Sequence, residues 1–363
     1  MVEFGLVAFV AALAVSAALT PLARRVALAA DLVAAVRPDR LHREARPYGG
    51  GLAIADTLLL VVGGAWLLAS WMPADRLPGW LPGGAHEALV ARGPLLVRLG
   101  VGALVFFIIG LVDDRYRLAA AAKLMLQLAA AALVVVGLGI RATVWLTVPG
   151  AAEAASLLWI VAVVNAYNML DHADGLAAAV ALVALVALAA GQMLVGQWFV
   201  PGLALAAAGA MGGFLVHNFP PAKLFMGDAG SHLVGYLLAV LTMAAQYYFP
   251  EGGTSPLVVF VPLAILAVPL FDMVCVVVSR VAQGACPVTG DATSHLGHRM
   301  LARGAGPRAV VEFAAGVAAV TGGASVLMYR LTGVPLAGAW GLVGAALVAH
   351  LLTRRRPRAE ETP

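Results

Sequence analysis

Eleven apolar runs dominate this chain. They lie at about 3–22, 50–70, 95–112, 122–140, 155–170, 176–195, 199–218, 229–248, 257–279, 308–329 and 335–353. A hydrocarbon layer about 30 Å thick takes about 20 helical residues to cross. Inside it every backbone amide must find a partner within its own segment, which a helix provides. The runs therefore predict an all-α, polytopic integral membrane protein of about eleven transmembrane helices. Those at 95–112 and 155–170 are short, which predicts a tilted helix or a broken helix end. Composition agrees. Of 363 residues, 62% are hydrophobic and only 12% are charged, about half the charged share of a soluble domain. An ordinary soluble protein, a disordered chain and a nucleic-acid reader are excluded, and the first partner is the lipid bilayer. Cys275 and Cys286 have neither disulfide nor metal-ligand spacing.

Charge gives a direction. Arg24 and Arg25 follow the first apolar run instead of preceding it, the reverse of a secretory signal peptide. This predicts a first span with its N-terminus outside and, after eleven crossings, a C-terminus inside. Eighteen of the 23 basic residues then fall on the inner side, as the positive-inside rule requires. The predicted layout is one helical domain, 1–353, with inner loops at 23–49, 113–122, 171–175, 219–231 and 280–307, then a short basic tail, 354–363. The expected location is the plasma (inner) membrane, with the working loops facing the cytoplasm. No internal repeat is visible, which counts against many transporter folds.

The scarce polar residues gather in five inner segments: RPDRLHREARPYGGG (37–51), GLVDDRYRLAAAAK (110–123), NAYNMLDHADGL (165–176), HNFPPAKLFMGDAGS (217–231) and GDATSHLGHRM (290–300). Ionisable groups at membrane depth are costly and face a cavity or a partner. Asp113 and Asp114 are adjacent, so on a helix they point about 100° apart. Either they mark a solvated helix end, or one acts as base or metal ligand while the other pairs with Lys123. Asn165, Asn168, Asp171 and Asp174 recur every third residue. One helix cannot aim all four at one point, so a break is expected near Asp171, before Gly175. Packing asparagines are the bland reading; the two added aspartates favour a site.

In LFMGDAGS, Gly227 and Gly230 flank Asp228 ahead of a helix. Glycines let a backbone approach phosphate, and a helix N-terminus attracts anions; Asp228 could equally be a simple helix cap. Phe225 could stack on a planar base or be a core or lipid contact. His295 and His298, with Arg299, suit a phosphate or sugar or lipid headgroups; no third ligand at local spacing supports zinc. Asp56 and Asp272 are the only acids well inside apolar runs. Taken together, carboxylates, amides and basic groups on one side describe a magnesium–phosphate site, with Mg2+ as the expected cofactor and Mn2+ as the alternative ion.

These segments resemble the polyprenyl-phosphate N-acetylhexosamine-1-phosphate transferases, multi-pass phosphoglycosyltransferases of glycosyltransferase family 4. The likeness runs from about residue 37 to residue 303. GLVDDRYRLAAAAKLMLQ is similar to the family's Asp-Asp segment and NAYNMLDHADGL to its Asn-x-x-Asn-x-x-Asp-x-x-Asp-Gly-Leu segment. LFMGDAGSHLVG matches Phe-Met-Gly-Asp-x-Gly-Ser, and PLFDMVCVVVSR followed by DATSHLGHRML resembles its last inner segment. The resemblance implies that a UDP-linked amino sugar and a polyprenyl phosphate (undecaprenyl phosphate) react to give polyprenyl diphosphate-sugar and UMP, the first membrane step of cell-envelope glycan synthesis.

By the same resemblance Asp228 is the leading metal ligand, with Asn168 or Asp171 nearby. Asp113 deprotonates or orients the lipid phosphate, or a carboxylate forms a covalent intermediate; Asp114 pairs with Lys123, and Asp171 joins the catalytic set. Phe225 and Asp174 hold uracil, with Asn165 beside them among the substrate contacts. His295, His298 and Arg299 bind the diphosphate and sugar, and Arg43 and Arg46 line the phosphate entrance. A homodimer is left open.

Two positions depart from the family pattern. Its last loop commonly reads His-x-His-His, and here it reads His295-Leu296-Gly297-His298; His172 stands where many members have a small or amide residue. The first loop lacks the lysine- and threonine-rich pattern of the phospho-N-acetylmuramoyl-pentapeptide branch, which favours an N-acetylglucosamine-type donor. That branch is the first alternative, a secondary transporter the second and an inactive scaffold the third.

Overall fold

The structure, a computed structural model, describes residues 2–34, 46–73, 76, 85–142, 148–248, 255–286 and 295–352. Arg43 lies outside these residues. The chain runs through α1 (Val2–Ala29), then α2 (Gly50–Leu58) and α3 (Gly64–Trp71) joined by a π-helical turn, Leu59–Gly63. It continues through α4 (Ala85–Ala91), α5 (Gly93–Tyr116) and α6 (Ala120–Ala132, prolonged by Leu133–Gly137). Next come α7 (Ala151–Leu170), α8 (Leu176–Leu194), α9 (Phe199–Asn218) and α10 (Gly227–Ala244). A 3-10 turn, Pro256–Phe260, leads into α11 (Val261–Ile265) and α12 (Ala267–Ala282), and α13 (Leu296–Leu301), α14 (Pro307–Met328) and α15 (Gly333–Leu352) close the chain. Among the described residues, nine helical spans are long and apolar enough to cross a membrane, and a bent pair makes a tenth. The remaining expected run falls on α10. Its 18 residues reach about 27 Å, and Asp228, Ser231 and His232 at its polar start lower its apolar content.

Several boundaries differ from the sequence expectation. α5 and α7 are not short: they hold 24 and 20 residues. α5 continues through Asp113 and Asp114 because partners on other helices satisfy these carboxylates. The region 113–122 is accordingly mostly helix, with only residues 117–119 between α5 and α6. The expected span at 257–279 is bent by 74° between α11 and α12. Pro269, just past the bend, has no N–H to give the carbonyl one turn back, a standard cause of a kink.

α8 and α9 are enclosed on nearly all sides, whereas α1, α15 and the α2–α3 span keep broad apolar faces outward, for example Leu59, Leu60, Leu67 and Leu68. The centre is rich in alanine, with Ala177, Ala178, Ala181 and Ala184 of α8 and Ala204, Ala207, Ala208 and Ala210 of α9 buried. Small residues let helix backbones approach where burial from water supplies no drive. A few buried polar bonds fix rotation. The Ser16 hydroxyl donates to the Ala210 carbonyl at 2.7 Å, linking α1 to α9, and Trp159 Nε1 donates to Thr242 Oγ1 at 3.1 Å, linking α7 to α10. The helix order places the ends of α5, α7 and α9 and the starts of α6, α8 and α10 at one end of the bundle. There a two-residue ladder, β1 (Val33–Ala34) with β2 (Arg46–Pro47), and a single bridge from Tyr48 to Phe225 tie the chain after α1 to the α9–α10 loop.

Candidate active site

Lys123 is the hub of this polar end. Its Nζ lies 2.6 Å from Asp113 Oδ2 and 2.7 Å from Asp228 Oδ2, and donates to Asn168 Oδ1 at 2.8 Å. Helices α5, α6, α7 and α10 each supply one of these groups. The α5–α6 turn makes the first contact local: Asp113 Oδ1 also accepts from the Leu118 amide at 2.7 Å, which closes the turn around its own carboxylate.

Asp114 does something else. Its Oδ1 accepts from the Asp228 amide at 2.8 Å and its Oδ2 from the Ala229 amide at 3.0 Å. It caps the N-terminus of α10 from another helix, where free amides and the helix dipole favour an anion. Gly227 makes room for it. Its φ is +73°, and a Cβ there would lie 2.7 Å from Asp114 Oδ2. The expected Asp114–Lys123 pair is thus corrected to Asp113–Lys123. The two side chains diverge by about 100° on α5, and the packing of α6 and α10 decides which neighbour each one meets. Asp114→Ala is expected to leave the Asp228 and Ala229 amides without their acceptor, lowering stability by about 1–2 kcal/mol. A melting curve in detergent measures this directly.

The third-residue series from Asn165 divides as its drift predicts. α7 ends at Leu170, Asp171 lies in the turn beyond it, and Gly175 (φ +73°) opens α8. Asn168 faces the hub and also donates to Ser231 Oγ at 3.1 Å. Asn165, one turn deeper, donates to Gln127 Oε1 at 2.7 Å; Gln127 Nε2 meets His232 Nε2 at 2.8 Å, and His232 Nδ1 donates to the Asp228 carbonyl at 2.5 Å. The Asn165 amide is therefore committed to a chain that braces the first turn of α10. Asp174 bridges Arg46 Nη1 at 3.0 Å and the Ala222 amide at 2.9 Å. Phe225 stands beside them. Its amide donates to the Pro47 carbonyl at 3.0 Å, its ring lies 5.8 Å from the Arg46 guanidinium, and Tyr48 packs on it. Arg46, Asp174 and Phe225 form one group, and only 8% of Phe225 is exposed, so its ring is chiefly a packed wall.

The last loop forms a third group around an acid that sequence reasoning left among span residues. Asp272, buried on α12, accepts from His295 Nδ1 at 3.0 Å and from the Leu296 amide at 2.9 Å. Arg299 and His350 Nε2 lie 3.9 and 3.4 Å from its Oδ1. An ionisable residue inside a span was the signal that could have found it. His172 joins from the α7–α8 turn, its ring centroid 4.6 Å from that of His295 and 5.4 Å from that of His298. Zinc was set aside for want of a third ligand nearby in sequence. The fold brings His172, Asp272 and His295 together, with one ligand atom of each within 4.8 Å of the others. Both His172 nitrogens, His295 Nδ1 and both Asp272 oxygens already take part in hydrogen bonds, and the three residues make a linked cluster. The turn 171–175 thus touches all three groups: the hub through the end of α7, the histidines through His172, and Arg46–Phe225 through Asp174.

The hub suits a hard divalent cation. By formal charge, Asp113, Asp114 and Asp228 exceed Lys123 by two within this set, and carboxylate and amide oxygens are the donors magnesium prefers. The side chains of Asp113 and Lys123 are 9% and 14% exposed, but that of Asp228 is 34% exposed, so of the two carboxylates on Lys123 it is the one more open to an incoming ion.

Fold and site together define a multi-pass membrane protein with a charged catalytic-type centre at one end of its bundle. Residues 96–246 match Glycosyl transferase family 4. A probable undecaprenyl-phosphate N-acetylglucosaminyl 1-phosphate transferase of Bacillus subtilis (strain 168) is 30% identical over 307 residues, 82% of this chain and 77% of that one. The decaprenyl-phosphate N-acetylglucosaminephosphotransferase of Mycobacterium tuberculosis is 31% identical over 384 residues, 97% and 90% of the two chains. A phospho-N-acetylmuramoyl-pentapeptide-transferase of Synechococcus sp. (strain RCC307) is 35% identical over 190 residues, 45% and 51%. The chain belongs to glycosyl transferase family 4 and is a phosphotransferase enzyme of the membrane, as its motifs predicted.

Proposed function

We propose that this enzyme transfers N-acetylglucosamine 1-phosphate from a UDP-sugar to polyprenyl phosphate. A lipid phosphate oxygen attacks the sugar-linked phosphorus; the bond from that phosphorus to the bridging oxygen of the diphosphate breaks, and UMP leaves with that oxygen. The single observation that carries this reading is Lys123 holding Asp113 and Asp228 together where four helices meet. Three acids spread over separate exposed loops would have argued against an enzyme. A transporter is disfavoured as well, because the acids of the hub lie at helix ends and no internal repeat is visible in the sequence.

In this reading the site faces the cytoplasm, where the basic loops lie, and the membrane is the plasma membrane. Asp228 would hold magnesium, with Asn168 and Asp171 beside it. Bound there, the ion would polarise the diphosphate and steady departing UMP. Lys123 keeps Asp113 and Asp228 close despite their like charge. Asp113 orients the lipid phosphate or takes its proton, Arg46 and Asp174 fix the loop carrying Phe225 beside the uracil, and His295, His298 and Arg299 meet the diphosphate and sugar. Such catalysis is chiefly positioning and charge neutralisation.

The test is purified protein with polyprenyl phosphate and a panel of UDP-sugars, read as UMP released and lipid product formed. UDP-N-acetylglucosamine is expected to react, and the muramoyl-pentapeptide donor is not. Turnover of the pentapeptide donor alone would overturn the donor assignment. Chelation by EDTA is expected to stop UMP release and excess Mg2+ to restore it; unchanged turnover in EDTA would sink the metal assignment.

A further inference from the structure

The two departures from the family pattern touch each other. A Cβ built on Gly297 would lie 2.5 Å from His172 Nε2 and 3.1 Å from its Cδ2. No residue with a side chain fits at 297 while His172 holds its place, since real Cβ atoms do not approach that closely. The Gly297 amide donates to His172 Nε2 at 3.2 Å, which leaves Nδ1 carrying the proton and donating to the Met169 carbonyl at 3.0 Å. An imidazole that accepts at Nε2 and donates at Nδ1 is the neutral form. The His172 ring packs against His295 at a tilt of 33° and stacks on His298 at 23°.

We propose that His172 and Gly297 are one exchanged pair. The imidazole missing from the middle of the last-loop motif is delivered to the same space from the α7–α8 turn, where it sets the orientation of His295 and His298 toward the diphosphate–sugar end of the donor. Both nitrogens of His172 are committed to backbone groups, so it is a positioning residue and not a group that touches substrate. The inference rests on the UDP-sugar reading for its kinetic consequence and on packing alone for the pairing. It also fixes which loops must change together: a side chain at 297 is tolerated only when 172 becomes small.

The experiment is a four-member cycle: the parent protein, His172→Gly, Gly297→His, and the double variant. Contacting residues couple by amounts worth several-fold to a hundredfold. Each single change is expected to raise KM for UDP-N-acetylglucosamine about tenfold or more, leave KM for polyprenyl phosphate unchanged, and lower the melting temperature. The double variant is expected to return to within about threefold of the parent and to regain its melting temperature. Gly297→Ala, alone and with His172→Gly, gives a milder version if Gly297→His does not fold. Losses that simply multiply, or a harmless His172→Gly, would overturn the proposal. Melting temperatures need no substrate. A parent protein that turns over no UDP-sugar would defeat the functional reading, while the cycle in melting temperature would still decide the pairing.

Discussion

Asp228→Asn is expected to reduce UMP release by about a thousandfold, the scale seen when one preorganised charge-stabilising group is removed from an active site. The change is nearly isosteric. The backbone amide of Asp228 still donates to Asp114, and its carbonyl still accepts from His232. The first turn of α10 should therefore survive, and the melting temperature should stay close to that of the parent. What is lost is one negative charge at the more open of the two carboxylates on Lys123. Turnover in a magnesium titration is the measurement. Full activity at ordinary magnesium would remove Asp228 from the metal site. Loss of fold together with activity would recast it as a structural residue.

Lys123→Met should be damaging in a different way. Its ammonium holds two carboxylates and one amide oxygen within 2.8 Å, and removing one partner of a buried pair costs about 3–5 kcal/mol because the other charge is left uncompensated. Both activity and melting temperature are expected to fall. Adding Asp113→Asn to Lys123→Met removes one of the stranded charges, so it should recover part of the stability and none of the activity. A Lys123→Met protein as stable as the parent would show that the hub does not hold the helix ends together. The contrast with Asp228→Asn separates the two jobs in this cluster: Lys123 organises it, and Asp228 presents charge outward.

Much of the site was legible because ionisable residues are rare in apolar helices and had few places to go. The spacing from Asn165 to Asp174 implied a helix break, and α7 ends at Leu170 as expected. The pairing inside the cluster was not legible. Asp113 and Asp114 present the same chemistry at adjacent positions, and only the placement of α6 and α10 around α5 assigns Lys123 to the first and the α10 amides to the second. Asp272 stood among apolar neighbours with no local partner. Its roles depend on His295 and His350, 23 and 78 positions away along the chain. Gln127 and His232 were overlooked because each reads as an isolated polar residue until α6, α7 and α10 pack.

By itself, the sequence determined that this chain is a bundle of membrane-crossing helices with its polar motifs gathered at one end. Hydrocarbon imposes helix on any apolar run of sufficient length and drives charge to the helix ends. The tertiary structure alone decided the rotation of each helix, the 74° bend before α12 and the meeting of His172 with Gly297. The reason is physical. The apolar pattern of a membrane helix sets its length and depth, but nearly every face is apolar, so which side chain meets which is settled only by packing against neighbours.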